Sequence, residues 1–151
     1  MITWTKATLL EQFRAQPNDQ DANFYMLLLS EAGRRPVLYL GKTFDQYVSW
    51  RIEQPDHQDR LSRIQRKYPN ADVLISVGVI SSPDRNRFDR GFIDQIESLL
   101  ILVHQPEFND NKRSFPTITT IMDWHYVVNS GDFSPLERVV YFGPAVGGEG
   151  A

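Results

Sequence analysis

The chain has 151 residues, a net charge of −3 and no cysteine. One domain with a core of its own is expected, while disulfides, thiolate metal sites and cysteine nucleophiles are excluded. The acidic balance argues against a broad basic nucleic-acid surface and leaves room for a local cleft, because arginine and lysine gather at Arg51, Arg60, Arg63, Arg66 and Lys67.

In chain order, Thr8 to Gln16 reads as a short opening helix with Leu9, Leu10 and Phe13 on one face. The opening MITWTKATLLEQF lacks the unbroken apolar core of a signal peptide. No apolar run approaches the roughly 18 residues of a membrane span. A cytoplasmic protein without membrane contact is the expectation. A polar loop over 16–23 leads into NFYMLLLS at 23–30, a nearly continuous apolar run that reads as a buried strand. A short glycine-containing turn and a second strand at 36–40 suggest an antiparallel hairpin.

Thr43, with Gln46 three residues on, fits a capping box, and Phe44, Tyr47, Val48 and Ile52 follow at helical spacing. Pro55 then reads as following the end of that helix. Asp59 to Lys67 is a second helix with Leu61 and Ile64 inward, and VLISVGVI at 73–80 a third strand. Phe88 to His104 gives the clearest helix: Phe88, Phe92, Ile96, Leu99 and Val103 recur at three and four, and Pro106 follows. Gly91 weakens helix by about 1 kcal/mol against alanine, which places the effective start near it.

This order implies an α+β domain with a small, mainly antiparallel three-stranded sheet flanked by helices. Residues 118–132 and 136–143 add β-rich runs. The expected organisation is a single domain over 1–151, with a core at 22–110, a C-terminal β-rich extension at 111–143 and a flexible tail at 144–151.

Two stretches carry chemistry. In LYLGKT at 38–43, Tyr39 and Lys42 stand at the lip of a strand beside the glycine-loosened backbone of Gly41. On the long helix, at about 100° per residue, Glu97 falls on the flank of the apolar stripe between Ile93 and Leu100 or Ile101. A carboxylate half buried there is costly unless paired or bound to a metal.

The block IESLLILVHQPEFN at 96–109, with Glu97, Pro106 and Asn109, resembles the third signature of the GIY-YIG nuclease superfamily, in particular the nuclease domain of the bacterial excision-repair endonuclease subunit. NFYML stands where that family has Gly-Ile-Tyr, with Tyr25 as the tyrosine. LYLGKT stands where it has Tyr-Ile-Gly. The resemblance covers roughly residues 22–110 and agrees in the order of strands and helices.

It implies a divalent-metal-dependent endonuclease acting on DNA, in preference to RNA, with one Mg²⁺ or Mn²⁺ ion. Tyr25 and Tyr39 would be the tyrosine pair that activates water, Glu97 the metal ligand and Asn109 the residue that orders the site. Which tyrosine is the base stays open at this stage. Lys42, Arg51 and Arg63 would meet nucleic acid.

The chain departs from the family pattern at two points. Asn23 replaces the first motif's glycine. The position of the family's arginine, about ten residues after the second tyrosine, is Ser49, with Arg51 two residues later. A longer turn before the helix would restore Arg51; otherwise the helix aims it about 200° away. The family's frequent histidine after the arginine is either His57 or absent. The alternative implied by these departures is a weakened GIY-YIG module that binds nucleic acid or a protein partner.

The remaining residues read as structural. His104 and His125 lack partners at metal-ligand spacing. Asp123 and Asp132 suit turns and caps. Trp4, Trp50 and Trp124 read as packing residues, with base stacking the other role open to Trp50. The run Arg60 to Lys67 reads as a solvated helix face, with nucleic-acid contact as its other role.

Overall fold

The computed structural model describes residues 1–19, 21–31, 35–81, 89–111 and 126–141. Trp124, His125, Asp123, Phe88 and the tail at 144–151 lie outside them. Among the described residues the fold is α+β, on a mainly antiparallel sheet.

The sheet is built on β3 (Phe24–Ser30), β4 (Val37–Lys42) and β5 (Asp72–Ile80). Antiparallel β3 lies between the other two. The expected count of three strands is too small. β1 (Ile2–Trp4) and the two-residue β2 (Thr8–Leu9) both pair with the far edge of β5. β6 (Tyr126–Gly131) joins β1 in parallel, and β7 (Val139–Tyr141) closes on β6, giving the order β4-β3-β5-β1-β6-β7. The omission has a physical cause: β1 and β2 are too short to show a period, and they pair with a strand some 70 residues away.

Both faces of the sheet are covered, which is why β3 has no polar alternation. Phe24, Met26 and Leu28 pack with Ile93, Ile96, Leu99 and Leu100 of α4 (Arg90–His104). Tyr25, Leu27 and Leu29 face the other way, toward α1 (Leu10–Ala15), α2 (Val48–Arg51) and α3 (Pro55–Lys67). α4 starts at Asp89, whose side chain accepts from the Phe92 N–H, and ends at Gln105, in the left-handed region at φ 48°.

Two helices begin elsewhere than their sequence signals suggest. Thr43 does not cap a helix: its hydroxyl donates to the Ala22 carbonyl, and α2 opens five residues later at Val48. Pro55 does not follow a helix end but is the first residue of α3, where a proline lacks nothing the helix needs. Leu9 lies in β2 and is exposed, so the opening helix is shorter than expected. No helix among the described residues is long and apolar enough to cross a membrane.

Candidate active site

The site is assembled over one glycine. Tyr25 on β3 is opposite Gly41 on β4, and Tyr39 is opposite Leu27, so both tyrosines stand on the same sheet face. A Cβ at Gly41 would lie 2.4 Å from Tyr25 Cζ and 2.7 Å from Tyr39 Cε1. Glycine therefore leaves the space that the two phenol rings fill, with centroids 5.9 Å apart. The β3–β4 register shifts between Leu27 and Leu28, leaving Leu38 as the extra residue immediately before Tyr39.

α3 supplies the next layer. Beginning at Pro55, it turns His57, Arg60, Leu61 and Ile64 inward at i, i+3, i+4 and i+7. His57 is fully buried between the two tyrosine rings, edge-on to both. Its Nε2 lies 2.6 Å from Tyr25 Oη, and its Nδ1 lies 2.8 Å from Arg60 Nη1. A guanidinium donates only, so Nδ1 is the acceptor and the single proton of the neutral ring sits on Nε2. His57 therefore donates to Tyr25 Oη. Burial, then the charges of Arg51 and Arg60, push the His57 pKa down to about 4, which keeps the ring neutral.

Their surroundings separate the two phenols. Tyr25 Oη accepts from His57 Nε2, and its ring lies 5.9 Å from that of Tyr39. Burial raises its pKa well above that of a free tyrosine. Burial raises Tyr39 too, but the Arg60 charge pulls back, as do the interaction with the Tyr25 hydroxyl and Arg51. The Arg60 guanidinium lies 4.0 Å from the centre of the Tyr39 ring. Tyr39 is also the more accessible of the two, at 9% against 0% exposed.

Glu97, on α4, is buried at 8% exposed and its charge acts on both phenols. Arg51 reaches the same pair electrostatically. Its guanidinium is held by Asp56 at 2.8 and 2.9 Å and by Gln54 at 2.8 Å. The Asp56 hydrogen bond, above all, holds Arg51 above its ordinary pKa and the Asp56 carboxyl below the usual carboxylate range. Lys42 pairs with Asp94 of α4, and Arg63 with Asp110 and Asp59. Asn109 runs along the free edge of β4: its Oδ1 accepts from the Leu40 N–H at 2.9 Å and its amide donates to the Leu40 carbonyl at 2.8 Å.

Tyr25, Tyr39, Glu97 and Arg51 thus act on one another through one cluster, and His57 lies at its centre. Lys42 is one residue from Gly41 and directed to Asp94, Arg63 lies on the outer side of α3, and Asn109 supports β4 rather than facing the phenols. The reading of Arg60 as solvated does not hold: it is 8% exposed and also donates to the Phe108 carbonyl at 3.2 Å. The sequence signal for it was the 57, 60, 61, 64 spacing, hidden by starting the helix at 59. Trp50 departs from a packing role at 65% exposed, whereas Trp4 is buried and donates to Asn129 Oδ1. A comparison with protein-family models, curated proteins and solved structures returned no match.

Proposed function

We propose that the chain is a cytoplasmic, divalent-metal-dependent endonuclease of the GIY-YIG type that hydrolyses phosphodiester bonds in DNA, in preference to RNA. The observation that carries this reading is the packing of Tyr25 and Tyr39 over Gly41 against His57, with the charges of Arg51 and Glu97 acting on both phenols from α2 and α4.

Tyr39 is the base. His57 Nε2 donates to Tyr25 Oη, Tyr39 is the more accessible phenol, and Arg60 and Arg51 oppose the rise that burial and Glu97 impose on its pKa. As the phenolate, Tyr39 takes a proton from water as the water oxygen bonds to phosphorus and the bond to the leaving sugar oxygen breaks. Tyr25 and His57 position Tyr39, Arg51 and Lys42 meet phosphate oxygens, and Asn109 fixes the strand that carries Tyr39 and Lys42.

Glu97 is the residue that would hold one Mg²⁺ or Mn²⁺. Among the described residues no group of three or more His, Asp or Glu could hold an ion by itself. One buried carboxylate as protein ligand suits an ion that keeps several waters and takes phosphate oxygens. When bound, the ion stabilises charge on the phosphate and the leaving oxygen.

The test is cleavage of plasmid and single-stranded DNA with Mg²⁺ or Mn²⁺. Tyr39→Phe and Glu97→Ala are each expected to reduce the rate about a hundredfold or more. Equal activity in wild type and Glu97→Ala, or none in either, overturns the reading. A second reading, a non-cleaving module that binds nucleic acid or a protein partner, is favoured by the carboxylates already paired with Lys42, Arg51 and Arg63.

A further inference from the structure

A cavity of about 550 Å³ is lined in part by chain neighbours of the tyrosine cluster. Phe44, Tyr47 and Trp50 supply its aromatic lining. Tyr47 and Trp50 are 47% and 65% exposed, and although they meet edge-to-face at 5.1 Å, ring surface on both is left open to a ligand. Asp21 and Asp45 also line the cavity. Both are exposed and make no hydrogen bond or ion pair with the described residues. Asp19, deeper, already accepts from the Ser49 N–H.

The cavity adjoins the site through three chain neighbours. Trp50 precedes Arg51. Asn23, in its lining, is two residues before Tyr25. Ile93, also in the lining, is one turn before Glu97, about 6 Å along the helix axis.

We infer that this cavity is a subsite for one unstacked nucleobase next to the scissile phosphate, with guanine preferred. This rests on the nuclease reading and extends it to what the substrate must present. A volume in the range of small-ligand sites accommodates a nucleobase and its sugar but no duplex. Open aromatic faces stack any base. The rim carboxylates repel phosphate and accept hydrogen bonds, so they select the base edge over the backbone. Guanine places an N1–H and an amino group side by side, which one carboxylate accepts together. Adenine and cytosine offer an amino group without that adjacent donor, and thymine one N–H.

A cationic side chain of a protein partner would also suit acid and aromatic residues. Arg90 speaks against it. Its guanidinium lies 5.2 Å from the centre of the Phe44 ring, which lines the cavity. That charge opposes a second cation there and suits a phosphate flanking the bound base.

The experiment uses the full chain in EDTA, so that binding is read without cleavage. Fluorescein-labelled (dT)12, and the same oligonucleotide with one central dG, are titrated by fluorescence anisotropy. The dG oligonucleotide is expected to bind more tightly. Trp50→Ala should weaken both about tenfold. Asp21→Asn/Asp45→Asn should abolish the dG preference while leaving (dT)12 binding equal or tighter. Both aspartates have positive φ, at 62° and 55°, and asparagine tolerates that backbone, so these variants keep the loops. Unchanged binding in Trp50→Ala, or a dG preference that survives the double substitution, overturns the inference. So does binding of an arginine-rich peptide, lost in the double variant, without binding of either oligonucleotide. The two readings fail separately. Trp50-dependent binding without Mg²⁺-dependent cleavage removes the nuclease and keeps a base-binding site. Glu97-dependent cleavage at full rate, with no change of sequence preference in Trp50→Ala, removes only the subsite.

Discussion

His57 shows how one side chain can be both a structural and a chemical element. It fills the gap between two tyrosines and donates to one of them, Tyr25. Its neutrality has a consequence for stability. The pKa falls from 6.5 to about 4 on folding, so the unfolded state binds the proton first as pH drops. Stability is therefore full above pH 6.5 and is lost as pH falls toward 4, by roughly 3 kcal/mol for this one group. The groups facing it are Arg51, Arg60, Tyr25, Tyr39 and Asp56, and of the charged ones only Asp56 favours the charged ring. Urea denaturation at pH 7.0, 5.5 and 4.5 checks this: wild type should lose stability between them, and His57→Gln should flatten that part of the curve. An unchanged slope in His57→Gln would assign the loss to other groups. Little of this was legible in the sequence. His57 sits in a polar stretch, and its burial depends on the starting point of α3.

At the scale of elements, the segment after α4 holds the site's strand in place. β4 is an edge strand, and its outward backbone groups would otherwise be open. Phe108 donates its N–H to the Leu38 carbonyl at 2.8 Å, and Asn109 satisfies both polar groups of Leu40. Tyr39 lies between those two anchors. α3 in turn is tied to the same segment, through Arg60 to the Phe108 carbonyl and Tyr68 to Glu107 at 2.6 Å.

Asn109→Ala leaves a buried N–H and a buried C=O of Leu40 without partners, a loss of about 2–4 kcal/mol. Asn109→Asp keeps the acceptor but sets a carboxylate oxygen against the Leu40 carbonyl in a buried place, so at pH 7 it should lose at least as much. Chemical denaturation of the two variants reads the difference, and equal stability of wild type and Asn109→Ala would show that the strand does not need the clamp. The hairpin, β5 and α4 were legible because each is long and strongly patterned. The two helices between β4 and β5 were shifted for a local reason. A threonine with glutamine three residues on fits a capping box, but here the Thr43 hydroxyl is used across the hairpin instead. The turn before α2 is longer than a capping box at Thr43 gives, and from α2 Arg51 pairs with Asp56 while its charge acts on the tyrosines.

For the whole molecule, the net charge of −3 and a proposed nucleic-acid substrate are reconciled by pairing. Lys42, Arg51 and Arg63 each already contact a carboxylate, from Asp94, Asp56 and Asp110 respectively. Phosphate binding at these three positions exchanges one anion for another instead of neutralising a bare basic surface. Few counterions are then released. With three contacts, log K for duplex DNA should fall with log salt at a slope no steeper than about −2.7. Asp94→Asn removes the competitor of Lys42 and should tighten binding a few-fold without a steeper slope, because the number of phosphate contacts is unchanged. Anisotropy titrations of a labelled duplex between 50 and 300 mM KCl, about the range where such slopes are linear, measure both. A slope near −6 would require a basic surface larger than these three cations, and weaker binding by Asp94→Asn would show that the ion pair positions Lys42 rather than competing for it.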